Sequence, residues 1–187
     1  MSHKAGFVSI VGKPNAGKST LMNSLVGEKM SIVTPKAQTT RHRILGIVNE
    51  ESYQIIFSDT PGVIKPAYSL QESMMNFVQG SLIDADIILF VTDINEKYDE
   101  GDVIEKLQKT SSPVAVLINK IDKSTEEHVK AKIDYWQETL NPKAIFAISA
   151  LLTHNVQAVF QFVLDNLPEH PPYYAKDELT DKTERFF

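Results

Sequence analysis

The chain has no cysteine among its 187 residues. That excludes a disulfide framework, a thiolate-held metal, an iron–sulfur cluster and a catalytic thiol, and it fits a reducing compartment. Long apolar runs are also missing. The strongest, Ile87–Val91 and Val114–Ile118, fall far short of the roughly 18 residues that a membrane-spanning helix needs. Near the N-terminus a single Lys4 precedes Ala5–Val11, which is too short and has the wrong cleavage context for a secretory signal. A cytoplasmic location is the expectation. Nor is there a basic excess: 19 Lys and Arg stand against 24 Asp and Glu, a net charge of −5, whereas a domain that grips nucleic acid by its own electrostatics carries surplus positive charge. His3, His128, His154 and His170 show no metal-ligand spacing. What remains is ordinary globular material, 42% hydrophobic and 23% charged, with length for one domain that buries a core unaided.

Short apolar runs alternate with helical stretches. Phe7–Val11, Tyr53–Phe57, Ile87–Thr92, Val114–Ile118 and Ala144–Ile148 read as buried strands, being short, β-branched and bounded by Gly, Pro, Asp or Asn. Arg43–Val48, followed by the turn Asn49–Ser52, pairs with Tyr53–Phe57 as a hairpin. Helices are expected over Lys18–Val26, Leu70–Leu82, Glu100–Lys109, Thr125–Thr139 and Asn155–Leu167, with Asn155 as a cap and Pro168 just beyond the end. Strands alternating with helices predict an α/β fold, a mostly parallel sheet covered on both faces. In such a fold ligands sit beyond the carboxyl ends of the strands.

The strongest motif lies at one of those ends. Phe7–Val11 runs directly into Gly12-Lys13-Pro14-Asn15-Ala16-Gly17-Lys18-Ser19, the pattern G-x-x-x-x-G-K-S between a strand and a helix. The glycines let successive N–H groups turn inward on phosphate oxygens, and the helix N-terminus adds positive partial charge. Lys18 would reach the β- and γ-phosphates, Ser19 would place its hydroxyl on Mg²⁺, and Thr20 completes the binding set. A chance match in a chain of this length has odds on the order of 1%. The fold expectation sharpens to a P-loop NTPase three-layer sandwich, with about six strands, one of them antiparallel, and about five helices.

Strand Tyr53–Phe57 ends in Ser58 and then Asp59-Thr60-Pro61-Gly62. A carboxylate here can hold a water on Mg²⁺, and the Gly62 N–H can sense the γ-phosphate. Alone, D-x-x-G is weak; its position at a strand end gives it weight. Between the two motifs lies a polar stretch with Gln38-Thr39-Thr40-Arg41, where Thr40, or failing that Thr39, would bind Mg²⁺ and meet the γ-phosphate. Strand Val114–Ile118 ends in Asn119-Lys120-Ile121-Asp122. The two oxygens of one carboxylate match the adjacent N1–H and N2 amine of guanine, a pair that adenine lacks. Asp122 therefore points to GTP over ATP, and against an ATP-dependent kinase. Lys120 can lie over the base, Asn119 can tie this loop to the phosphate loop, and a backbone N–H at Ser149-Ala150 can donate to guanine O6.

Taken together, GKPNAGKS, QTTRHR, DTPG, NKID and ISA resemble the translation-factor-like GTPases. Within them, Lys36–Ile44 and the tail Thr180-Asp181…Glu184-Arg185-Phe186 resemble the Era-type GTPases, from Gly6 to Phe187. The resemblance implies a GTPase domain over residues 1–168 and a linker over 169–187 toward a KH-type RNA-binding domain. It further implies binding to the 3′ region of 16S ribosomal RNA, a role in small-subunit maturation, and peripheral association with the inner membrane. A KH domain needs a G-x-x-G loop, and no two of the eight glycines lie three apart. RNA contact is thus expected through a part that this chain lacks, with the part present monomeric. One departure stands out. After Ser149-Ala150 the family continues with an acidic residue and a glycine, whereas this chain reads Leu151-Leu152-Thr153-His154-Asn155.

The expected reaction is hydrolysis of GTP to GDP and phosphate, with Lys18, Asn15, Thr40 and Gly62 as the catalytic set. Ras-like enzymes place a water-orienting Gln after the D-x-x-G glycine. Val63 stands here instead, so slow turnover is expected. In related GTPases an Asn at the place of Asn15 helps to hold K⁺; the plainer reading is that Asn15 tolerates a left-handed turn. Arg41, His42 and Arg43 are too few for an RNA patch, and Met74, Met75 and Phe77 read as packing. The alternative function is a guanine-nucleotide-gated interaction module with negligible hydrolysis.

Overall fold

The computed structural model describes residues 2–13, 15–25, 27, 30–31, 43–59, 85–96 and 101–174. Pro14, Thr39, Thr40, Thr60, Pro61, Gly62 and Val63 lie outside the described residues, as do the helix expected over Leu70–Leu82 and the tail from 175 onward.

The elements in chain order are β1 (Lys4–Val11), α1 (Lys18–Leu25), β2 (Met30–Ser31), β3 (Arg43–Asn49), β4 (Tyr53–Asp59), β5 (Ile87–Asp93), α2 (Gly101–Lys109), β6 (Val114–Asn119), α3 (Glu126–Leu140), β7 (Ala144–Ala147) and α4 (Val156–Asn166). The strands form one sheet in the order β2-β3-β4-β1-β5-β6-β7. Pairings from β4 through β7 are parallel, and β3 runs antiparallel to β4 as the expected hairpin. The six long strands match expectation. The two-residue β2, which pairs antiparallel with β3 at the outer edge, is an addition.

Both faces of the central strands are buried, which is why their sequences read as unbroken apolar runs. Val8, Ile10, Leu89 and Leu117 face α1 and α4, packing on Leu21, Val159 and Val163. Their neighbours Val11, Phe90, Val116 and Ile118 face α2 and α3, packing on Val103, Leu107 and Trp136. Phe90 and Trp136 meet edge to face, 5.3 Å between centroids. Four helices cover the sheet among the described residues.

Helix ends follow local chemistry. Thr125 caps α3, its hydroxyl accepting from the His128 N–H at 3.2 Å, and Asn141 closes the helix in a left-handed turn. The cap expected of Asn155 needs correction. It occupies the cap position of α4, but at φ 61 its side chain does not accept from the helix; its Nδ2 donates to Ala147 O at 3.2 Å.

At the end of the sheet opposite the phosphate loop, the chain after α4 returns to β1 and β4. The Ala5 N–H donates to Pro168 O, and Tyr173 packs edge to face on Phe7. The buried Gln54 side chain receives the N–H groups of Tyr173 and Tyr174 on its oxygen, at 2.8 and 3.2 Å. Its amide nitrogen donates to Tyr174 O and Asn49 Oδ1. Ser9, on the neighbouring strand, is equally buried, yet its hydroxyl has no hydrogen-bond partner. These two side chains should respond to truncation with opposite signs. Ser9→Ala removes an unsatisfied group and should leave stability unchanged or raise it by about 1 kcal/mol. Gln54→Leu strands two N–H groups and should lower stability by about 1–3 kcal/mol, both read from denaturant unfolding.

Candidate functional site

Parallel pairing brings the carboxyl ends of β1, β4, β5, β6 and β7 to one rim. The candidate residues gather there. β1 leads into the phosphate loop at Gly12, where a Cβ would stand 2.5 Å from Val91 O, so the strand end needs glycine to lie this close to β5. The loop then turns through two left-handed residues, Asn15 at φ 68 and Gly17 at φ 101. Asparagine is among the few non-glycine residues that enter that region at low cost, so the plainer reading of Asn15 holds for its backbone. Lys18 opens α1 and donates from Nζ to Gly12 O at 2.9 Å, folded over its own loop. Ser19 and Thr20 are exposed on the first turn. Asp59 ends β4 in register with Ile10, beside the strand that feeds the loop.

The two loops are joined by side chains. Asn119, paired at both ends of its amide and 2% exposed, donates from Nδ2 to Ala16 O at 2.9 Å and accepts at Oδ1 from the Ala150 N–H at 3.0 Å. A Cβ on Gly17 would lie 2.2 Å from that Nδ2. The expected tie between Asn119 and the phosphate loop is therefore present. Of the two N–H groups at Ser149-Ala150 expected to serve guanine O6, that of Ser149 donates to His154 O at 3.2 Å and that of Ala150 to the buried Asn119 amide, whose oxygen needs a donor. The Ser149 hydroxyl donates to Asp122 Oδ1 at 2.8 Å and accepts from the Leu152 N–H, which fixes the carboxylate on a short 3₁₀ turn, Ile121–Lys123. Gly17, Thr20, Lys120, Asp122 and Leu151 are among the residues that line a cleft of about 130 Å³ between the loops. Leu151, where the chain departs from the Era-type pattern, is 72% exposed on its rim.

Lys120 stands at φ 68. Its ammonium donates to Asn15 O at 2.7 Å and pairs with Asp93 Oδ2 at 3.1 Å. It thus separates the first cleft from a second, of about 220 Å³, lined by Asn15, Ala16, Asp93, Asn95, Glu96 and Lys120. Asp93 and Glu96 were not singled out by sequence reasoning. The available signal was position alone: Asp93 ends a parallel strand, as Asp59 and Asn119 do. Burial pushes the Glu96 carboxyl above its ordinary range, opposed by the positive charge of Lys13. Among the described residues, no group of His, Asp and Glu could hold a metal by itself, and no helix is long and apolar enough to cross a membrane.

A family profile described as 50S ribosome-binding GTPase matches residues 7–120. The GTPase Era of Clostridium botulinum strain Eklund 17B is 45% identical over 185 residues, covering 98% of this chain and 63% of the relative. That of Alkaliphilus metalliredigens is 41% identical over 187 residues, covering 99% and 63%. The chain thus spans under two thirds of the length of these curated relatives. A crystal structure of an Aquifex aeolicus Era variant bound to GDP·AlF4⁻ superposes with a TM-score of 0.76 at 43% identity, over 95% of this chain and 62% of that one. Era in complex with MgGDPNP and nucleotides 1506–1542 of 16S ribosomal RNA gives 0.76 and 43%, over 96% and 62%. The FeoB G domain of Methanococcus jannaschii, at 17% identity and a TM-score of 0.62 over 87% of this chain and 97% of that one, shares the fold alone.

Gly17→Ala, which sets a methyl against the Asn119 amide and demands a left-handed alanine, should lower stability by about 1–3 kcal/mol, read from denaturant unfolding. Glu96 predicts a pH effect. Its folded pKa lies above the unfolded one, so both states are protonated in acid; as pH rises, the unfolded chain ionises first and stability falls. Glu96→Gln should therefore raise the melting temperature near pH 7, with the gain vanishing once pH drops below the ordinary carboxylate pKa.

Proposed function

Because the chain belongs to the family of 50S ribosome-binding GTPases, with Era GTPases among its relatives, we propose that it is the GTP-hydrolysing switch of an Era-type protein. The observation that carries this reading is Asp122, held by Ser149 at 2.8 Å on the wall of the cleft that abuts the phosphate loop. A carboxylate so fixed matches the paired N–H donors of guanine, while the loop supplies N–H groups for phosphate.

In the reaction, GTP and water give GDP and phosphate, and the protein's share is positioning and charge neutralisation. Lys18 exchanges Gly12 O for phosphate oxygens. Asn119 keeps the two loops in register while nucleotide enters. Ser19, Thr40 and, through a water, Asp59 would offer the hard oxygen ligands that Mg²⁺ takes, and the ion would supply charge stabilisation to the phosphates. Gly62 senses the γ-phosphate. Val63 has no hydrogen-bonding side chain with which to orient water, so intrinsic turnover is slow. Asn15, exposed on the phosphate loop, would take part in holding K⁺ beside the phosphates.

The wider role rests on the relatives. We read residues 1–168 as the GTPase domain and 169–187 as a linker toward an RNA-binding part, a reading supported by the chain spanning 63% of the relative's length. The proposed partners are 16S ribosomal RNA and the small ribosomal subunit, by analogy with the Era–RNA complex. The working location is the cytoplasm, with peripheral contact to the inner membrane.

Single-turnover hydrolysis of GTP with Mg²⁺ tests the enzymatic reading. Slow but measurable turnover is expected. Nucleotide binding without hydrolysis would make the chain a guanine-nucleotide-gated interaction module. Turnover should be faster in KCl than in NaCl, and Asn15→Ala should abolish that difference; equal rates in both salts would count against the K⁺ site.

A further inference from the structure

We propose that Asp93 is a positioning residue for guanine-nucleotide binding, its carboxylate setting Lys120 as the bar that joins the phosphate loop to the base cleft. The proposal rests on the reading of that cleft as a nucleotide site. Asp93 is the last residue of β5 and lies in register with Asn119, the last of β6; the Ile94 N–H donates to Asn119 O at 2.9 Å. The two carboxylate oxygens have separate tasks. Oδ1 accepts from the Asn95 N–H at 2.9 Å and shapes the turn after the strand. Oδ2 faces the Lys120 ammonium at 3.1 Å.

That ammonium also donates to Asn15 O at 2.7 Å. The contact therefore links two residues that both hold a left-handed backbone, Asn15 and Lys120, each at φ 68. Such conformations persist where surrounding contacts over-determine them. A lysine stem has several rotors, and ordering it on nucleotide entry opposes binding. With Asp93 in place, the stem is already ordered across the cleft. The side chains of Lys120 and Asp93 are 30% and 26% exposed, so their attraction is screened less than that of a surface pair.

A competing effect has the opposite sign. A carboxylate close to the phosphate loop repels an anionic nucleotide, so charge alone makes its removal tighten binding. Asp93→Asn separates the two. The isosteric amide keeps an oxygen for the Asn95 N–H but turns its NH₂ toward the ammonium, donor against donor.

The experiment measures GDP affinity by calorimetry and GDP release by stopped flow, with Mg²⁺, for the wild type, Asp93→Asn, Lys120→Met and the double variant. We expect Asp93→Asn to weaken binding about three- to tenfold, mainly through faster release, and to cause no further loss in the Lys120→Met background. Unchanged or tighter binding by Asp93→Asn would overturn the proposal in favour of bare electrostatics. A loss that persists in the Lys120→Met background would overturn it in favour of the turn at Asn95. Absence of GDP binding by the wild type would overturn the nucleotide reading itself, and this inference with it.

Discussion

Asn119 directs its amide nitrogen to Ala16 in the phosphate loop and its amide oxygen to the Ala150 N–H after β7, so a single buried side chain joins three segments distant in sequence. Everything that would touch a nucleotide is referenced to this junction. Gly17 is glycine because the amide stands where a Cβ would be. Asp122 is three residues further on, and the Ser149 that orients it precedes the Ala150 that Asn119 holds. A buried amide with both ends paired is stiff, and losing either partner would leave a polar group stranded in an apolar setting.

The sheet makes that junction possible. Parallel strands deliver their carboxyl ends to one rim, and burial on both faces leaves the strands no freedom to slip in register. Site geometry is thereby inherited from apolar packing at some distance from it: Phe90 against Trp136 on one side, Val8 and Ile10 against α1 and α4 on the other. The polar residues at the rim need only the short turns that follow each strand.

The central strands were legible because doubly buried strands are written as continuous β-branched runs, and the motifs because phosphate and guanine each demand residue types at strict spacing. Other features left no such mark. Met30–Ser31 is two residues long, too short for any periodicity. Asn155 carries the residue type of a helix cap, yet its amide points the other way, toward Ala147, because its backbone is left-handed. The partners of the N–H groups at Ser149-Ala150, His154 O and the Asn119 amide, left no mark because a sequence does not show which buried acceptors need a donor. Asp93 belongs to no motif; its role emerges only when Lys120 is seen reaching to it.

The grip of Gln54 on Tyr173 and Tyr174 sets where the polypeptide leaves the sheet. Gln54 is the second residue of β4 and Asp59 its last, so five strand steps, about 17 Å at roughly 3.3 Å each, separate the exit from the rim. Tyr173 and Tyr174 are therefore anchored at the pole opposite the rim that carries the cleft between the two loops.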